Sequence, residues 1–459
     1  MGIFYVYIGI SFLITFFIVR RTRPAYPLIT FIICFWIFVS DVANMDGIKI
    51  SLGAFDLQPL RLLFLLFSGF LIINPFVKQY NRKYQPEYRI VPVYEKYMLG
   101  FIALATVSYI FHHSADIVTL FVYLTTLASF VVVYFAIKRS ADEGMKRAIF
   151  LCLMTVATIS CIVCVFQMVV DQSFFRVNPT YSRSAFAGLL RPSGVFRDDY
   201  MHSYIVFSAL VWLSFTMKRG WTKNILSGLF LFGIFIAFMR MGYVVTTLFV
   251  AHAMIYASNV SFKLKVLVVT LAGIFGVFGY FLVATSGIMD SSIAQDRMMD
   301  EGTMELRYEL YEKAIEVSFS SFQGILIGYG SVESPVYYEA MYEVTEQEEW
   351  ALGERGGWHN LFISTLFFNG FPTACLLFIT LVSIIKYFHK LVDLSKSEEY
   401  YIPFYICAGY VIANVTLSLE LTTPFAVFLF VSVAIMVKSR KGQILNERTY
   451  EYATEASDR

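Results

Sequence analysis

One histidine and three arginines are the residues of this chain best suited to chemistry. The histidine is His359, in Gly356-Gly357-Trp358-His359-Asn360, directly ahead of the apolar run 361–385. An imidazole titrates near neutrality, so it can take a proton from an attacking hydroxyl and hand it on. Asn360 beside it has the position to orient the reacting groups. The arginines are Arg191, in Leu190-Arg191-Pro192-Ser193-Gly194-Val195-Phe196; Arg240, between two apolar runs with almost no connection; and Arg307, on an amphipathic stretch. A guanidinium offers a planar fork of N–H donors that matches phosphate oxygens. A charge at the rim of a membrane segment is expensive unless it is paired, wet or in use. Taken singly, each arginine has a plainer reading: Arg240 snorkels to the interface and Arg307 touches lipid headgroups. Taken with His359, the three suit a lipid diphosphate presented at one membrane face.

A second group lies between Tyr337 and Trp358. Tyr337, Tyr338, Tyr342, Trp350 and Trp358 alternate there with Glu339, Glu343, Glu346, Glu348, Glu349 and Glu354. Aromatic faces with carboxylate acceptors can cradle sugars, which makes Trp350, Trp358 and Tyr337 candidate glycan contacts. An interfacial aromatic belt over a solvated acidic loop explains the same residues equally well. Gly328-Tyr329-Gly330 reads as a turn. Other chemistries find no support in the sequence. It has no phosphate-cradling Gly-rich loop ending in Lys-Ser or Lys-Thr, no His-Glu-x-x-His, and no Asp-x-Asp to hold a metal–nucleotide-sugar complex. His112-His113 are adjacent, so they do not share a helix face. Cys161-x-x-Cys164 lies within an apolar run, where small apolar side chains are the simpler reading than redox or metal chemistry. No metal and no cofactor is expected.

The elements that must carry these residues are membrane helices. Of the 459 residues 58% are hydrophobic and only 15% charged, with a mean hydropathy of +0.63, far from an ordinary soluble domain. About 20 apolar residues are needed per crossing. The apolar runs place crossings near 3–19, 25–40, 57–77, 97–112, 115–137, 148–170, 202–217, 222–239, 241–258, 266–285, 360–385, 402–418 and 421–437, the last two sharing one run broken at Glu420 and Pro424. The fold class expected is therefore an all-α polytopic membrane protein of 12 or 13 crossings. The first run lacks a basic flank before it and a cleavage site after it, so it reads as a retained helix rather than a signal peptide.

The connections 20–24, 78–96, 138–147, 218–223, 259–265, 386–400 and 438–459 hold 25 of the 36 Lys and Arg. The basic side is cytoplasmic. That orientation puts the N-terminus outside, the C-terminus inside, and two sizeable loops, 171–201 and 286–359, on the external face. The organisation expected is helices over 1–170, the first external loop, central helices over 202–285, the large external loop, helices over 360–437 and a cytoplasmic tail 438–459. Within the large loop, Leu306, Leu310, Ala314 and Val317 recur at helical spacing with Thr303 placed to cap. Such a helix is expected to lie on the membrane with its apolar face down.

With these motifs in this order the chain resembles the bacterial O-antigen polymerase and O-antigen ligase superfamily. The resemblance rests on Arg191-x-x-Gly194-x-Phe196 ahead of a helix, Arg240 at a helix junction, Arg307 followed by Gly328-Tyr329-Gly330, and His359-Asn360 followed by Gly370. It covers roughly 185–385 by motif and the whole chain by topology, and departs at Met239, where the family usually has Ser. It implies an enzyme of the bacterial inner membrane that transfers glycan from undecaprenyl diphosphate without metal or nucleotide. Arg191 and Arg307, with Arg240, would bind the diphosphate, and His359 would deprotonate the acceptor hydroxyl. Asn360, Gly194, Gly328 and Gly330 would support them. Implied partners are the lipid-linked glycan donor and acceptor, membrane lipids, a chain-length regulator and a flippase, with no nucleic acid. Two substantial external loops favour a polymerase over a ligase acting on lipid A-core. A transporter or flippase of lipid-linked sugars is the rival from another class, although no internal repeat is visible. A scaffold for a glycan-assembly complex is a third.

Overall fold

In a computed structural model of the chain, the residues described are 2–40, 50–51, 56–57, 59–81, 92–112, 117–175, 191–237, 239–256, 301–332, 334–346, 358, 360–395, 397–415 and 425–437. The helices are α1 (Gly2–Thr22), α2 (Pro27–Val39), α3 (Pro59–Asn81), α4 (Val93–His112), α5 (Ile117–Leu127), α6 (Ser129–Ser140), α7 (Glu143–Val169), α8 (Asp199–Thr216), α9 (Trp221–Ile236) and α10 (Arg240–Tyr256). They continue with α11 (Glu301–Phe319), α12 (Phe322–Ile327), α13 (Pro335–Thr345), α14 (Leu361–Asn369), α15 (Phe371–Ser395), α16 (Tyr401–Ala413) and α17 (Phe425–Val437). Strand structure among the described residues is confined to one antiparallel two-residue pair, β1 (Ile50–Ser51) with β2 (Asp56–Leu57). Among the described residues three stretches are long and apolar enough to cross a membrane: Tyr5–Thr22, Glu143–Val169 and Phe371–Leu394. Large apolar side chains on α1 and α15, among them Phe12, Phe17, Phe371 and Phe378, are exposed, as lipid-facing surfaces must be.

Packing sorts the helices by end. Tyr204 of α8 stacks on Phe425 of α17 at 4.9 Å, and Phe425 meets Tyr410 near the end of α16 at 5.6 Å. Ser160 near the end of α7 bonds His202 near the start of α8. Ser108 near the end of α4 bonds the carbonyls of Ile327 and Phe368. One end of the bundle therefore gathers the C-termini of α4, α7 and α16 with the N-termini of α8, α15 and α17. The opposite end gathers lysines with carboxylates. Lys146 meets Glu399 at 2.6 Å, and Lys138 and the Tyr134 hydroxyl both bond the buried Glu95. Asp142 caps α7 there, its Oδ1 accepting from the Met145 N–H at 2.7 Å and its Oδ2 from the Ala25 N–H at 2.6 Å.

A small second core sits on the first end. α11, α13 and α14 enclose Leu310, Ala314, Tyr337, Ala340, Met341, Trp358 and Phe367, and α12 wedges between this cap and the ends of α4 and α15. The sequence anticipated a helical cap in this loop, but several details differ. Leu310 and Ala314 are buried in the cap's own core rather than turned to the membrane. Three tyrosines, tryptophan and phenylalanine in neighbouring elements supply a closer apolar partner than lipid does. The cap does expose apolar side chains: a corner made of Phe319, Phe322 and Leu326 beside Phe371, and, elsewhere on its surface, Ile315, Val332, Tyr308 and Tyr342. Thr303 lies within α11, not at its cap.

Two expected crossings are each split. The run 115–137 divides into α5 and α6 at Ala128. The run 360–385 divides at Gly370, which takes φ 84°. A β-carbon there would come within 2.5 Å of the Leu326 backbone, so only glycine lets α12 approach and turn the chain. The short α14 then belongs to the cap, and α15 is the apolar span. The expected crossing 266–285 and the tail 438–459 lie outside the described residues.

Candidate functional site

Arg191 stands on a turn that the bundle grips from below. Pro192 fixes its own φ and biases Arg191 to extended backbone. Gln167, buried near the end of α7, accepts the Ser193 and Gly194 N–H groups on its Oε1, each at 3.0 Å. Its Nε2 donates to the Gly194 carbonyl at 3.0 Å and the Phe174 carbonyl at 2.8 Å. Gly194 takes φ 63°, and a β-carbon there would stand 2.0 Å from Ser160 Oγ, so the position admits only glycine. Val195 and Phe196 then plug the turn into the core. Across from the turn, Arg191 pairs with Asp199 in the first turn of α8 at 3.2 Å, with 29% of the arginine side chain exposed. Burial raises the pKa of neighbouring Asp198, a shift that the Tyr200 hydrogen bond and the Arg197 charge oppose.

Arg307 is half-buried on α11, one helical turn before Tyr311. The Tyr311 hydroxyl points at the Val415 carbonyl, 3.5 Å away. Asn360 donates its Nδ2 to the same carbonyl at 3.0 Å. Its Oδ1 accepts the N–H groups of Phe362 at 2.9 Å and Ile363 at 3.2 Å, making Asn360 the N-cap of α14. The Leu361 N–H completes the link by donating to the Asn414 carbonyl at 3.3 Å. Thus Tyr311 and Asn360 meet at the exit of α16, and Arg307 stands one helical turn before Tyr311 on α11. Arg191 is tied to the same helix end through Asp199's helix, by the run Tyr204–Phe425–Tyr410.

Gly328 ends α12, and Tyr329 and Gly330 follow as an irregular connection rather than the turn expected there. The Tyr329 and Gly330 N–H groups donate to the Phe367 and Phe368 carbonyls at 2.8 and 2.9 Å. Both glycines have positive φ, and β-carbons would meet the Phe368 backbone at 2.5 Å and His112 Cβ at 2.6 Å. This connection docks the cap on the end of α4.

Two of the three aromatic candidates change role. Tyr337 and Trp358 are fully buried, ring to ring at 5.6 Å, and both pack on Phe367. A sugar cannot stack on faces already covered by the cap, so in this conformation they are core residues and not glycan contacts. The Tyr337 hydroxyl and the Trp358 Nε1 are buried with no hydrogen-bond partner among the described residues, and burial pushes the Tyr337 pKa up to about 12. Trp350 and His359 lie outside the described residues; Arg240 is the first residue of α10, and its side chain is likewise outside them.

Sequence reading passed over Gln167, Ser160 and Asp199, and took His202 only as an example of a hydrogen-bonded interfacial histidine. A glutamine inside an apolar run and a histidine three residues after an acidic pair were the available signals, since polar groups at membrane depth must find partners. Among the described residues no cluster of three or more His, Cys, Asp or Glu side chains has the arrangement of a metal site. No protein-family model matches the chain, and no curated protein matches it, so the reading of the site rests on its own residues.

Proposed function

We propose that this protein is an integral membrane glycosyltransferase of the O-antigen polymerase type, joining saccharide repeat units carried on undecaprenyl diphosphate. In this reading it works at the outer face of the bacterial cytoplasmic membrane. The basic end of the bundle faces the cytoplasm, the N-terminus lies outside, and the chain crosses 12 or 13 times. What supports the reading is that Tyr311, one helical turn after Arg307, and Asn360 both reach the Val415 carbonyl at the exit of α16, while Arg191 stands on a turn held by Gln167 toward the same end of the bundle.

The diphosphate of the donor lies against Arg191 and Arg307, with Arg240 as third cation. His359 accepts the proton of the acceptor hydroxyl, whose oxygen forms the new bond to the donor's anomeric carbon. The bond from that carbon to the diphosphate breaks, and undecaprenyl diphosphate departs with its charge held by the arginines. Fixed cations in a site shielded from bulk water stabilise such a leaving group more than they would in solution.

The test is reconstitution of the purified protein with lipid-linked repeat units and resolution of products by length. A ladder is expected. A single transfer onto lipid A-core reassigns it as a ligase, and absence of any glycan product from active donor overturns the enzymatic reading in favour of a transporter or scaffold.

A further inference from the structure

We propose that Gln167, Ser160 and His202 form a buried positioning network that sets both halves of the Arg191–Asp199 pair, and thereby the geometry with which Arg191 meets a diphosphate. The proposal rests on the functional reading above. Its starting point is that three polar side chains are fully or almost fully buried between α7, α8 and α9 and all point at one turn. Buried polar groups are retained only where they are satisfied, and a satisfied network rigidifies what it touches.

The oxygen partners of His202 assign the hydrogen-bond roles, with the weakly bonding Cys164 thiol also beside the ring, its Sγ 3.4 Å from Nε2 and 3.6 Å from Nδ1. The Gly233 carbonyl, 3.2 Å from His202 Nε2, can only accept, so Nε2 carries the proton. His202 Nδ1 is then an acceptor and takes the Ser160 hydroxyl proton at 2.7 Å. Ser160 Oγ keeps a lone pair for the Val195 N–H at 3.2 Å. Gln167 holds the two preceding N–H groups and the Gly194 carbonyl. Three consecutive backbone N–H groups, those of Ser193, Gly194 and Val195, are therefore held by side chains of α7, and Arg191 is two residues from the first of them. On the other side, His202 lies three residues after Asp199 on α8, so the group that anchors the turn also anchors the helix end carrying the counter-ion. Arginine and carboxylate are set by one network rather than by each other.

Such preorganisation matters for a bidentate contact. A point charge tolerates drift, whereas a planar fork must meet two oxygens at once. Loosening the turn should therefore act through Arg191 and nowhere else, which a double-mutant cycle detects as non-additivity.

The experiment measures binding of undecaprenyl diphosphate to the full-length protein in lipid nanodiscs, per folded molecule, for Arg191→Gln, Gln167→Met, Ser160→Ala and the pairs with Arg191→Gln. Ser160→Ala is the gentler variant and carries the test if Gln167→Met does not fold. We expect Arg191→Gln to weaken binding, Gln167→Met or Ser160→Ala to weaken it about tenfold, and each double variant to match Arg191→Gln within about twofold. Full additivity, or unchanged affinity in Gln167→Met and Ser160→Ala while Arg191→Gln loses binding, overturns the positioning role alone. Unchanged affinity in Arg191→Gln itself overturns the diphosphate reading, and the network's role with it.

Discussion

Replacing Asn360 separates two jobs that the structure gives to one side chain. Its Oδ1 caps α14 by accepting from Phe362 and Ile363, and its Nδ2 ties that cap to the end of α16 through Val415. Loss of a good N-cap costs about 1 kcal/mol, and loss of a typical hydrogen bond costs about another 1 kcal/mol. Asn360→Ala removes both, so opening of α14 should become easier by about 2 kcal/mol. Asn360→Ser restores a cap oxygen but cannot reach Val415, so it should lose only about 1 kcal/mol. The effect is local, and hydrogen exchange of the amides over 361–369 reads it better than global melting does. Protection should fall about 30-fold in the alanine variant and about fivefold in the serine variant, at about 1.4 kcal/mol per tenfold. Equal losses in the two variants would refute the division of roles. Wild-type protection in both would show that neither contact holds the helix.

His359→Ala should abolish chain growth while leaving undecaprenyl diphosphate binding intact, because a general base contributes about 10²–10⁴-fold in rate; near-normal turnover per folded molecule would remove the histidine from the mechanism. Arg307→Lys should raise donor KM and lower turnover with the protein still inserted, since charge remains and the fork is lost; wild-type kinetics would refute a bidentate contact. Asp198 has its pKa raised by burial, so the folded state binds its proton more tightly than the unfolded chain does. Its contribution to stability is then full below the unfolded pKa, about 4, and declines as pH rises through the folded value. The thermal stability of Asp198→Asn relative to wild type should therefore increase with pH across that window, and a pH-independent difference would refute the assignment. Tyr337→Phe deletes a buried hydroxyl that has no partner among the described residues, so thermal unfolding should be unchanged or shifted upward; a clear loss of stability would mean the hydroxyl is in use.

The hydropathy of the chain makes its helical character legible, because runs such as 148–170 have no alternative to crossing or burial. Helix α7 over 143–169 begins where Asp142 supplies a cap, five residues before the apolar run does. The cap helix 301–319 could be read from its period, but not which way it faced. Periodicity reports that Leu310 and Ala314 share a side; it cannot say whether lipid or Tyr337 covers it. The break at Gly370 depends on a backbone more than forty residues earlier in the chain, Leu326, and so has no local signal beyond the glycine itself. Gln167 illustrates the same limit from the other side. Its oddity in an apolar run was visible, yet its partners, Ser193 and Gly194, lie across a loop and can be named only once α7 and α8 are packed.

The divided run 361–385 also bears on how the chain enters the membrane during synthesis. A nascent segment is judged by its apolar content before any cap exists to pack against it. At that moment 361–380 and 371–394 are two rival frames, displaced by ten residues, each long enough to insert. In the folded chain α14 packs into the cap core and Gly370 turns the chain, which leaves the later frame, Phe371–Leu394, as the stretch long and apolar enough to cross. Lys386 and Lys390 lie within that later frame's final turns, where their charges can anchor it at the basic end. The choice of frame is thus coupled to closure of the cap, because an earlier frame held in lipid would withhold α14 from the cap core.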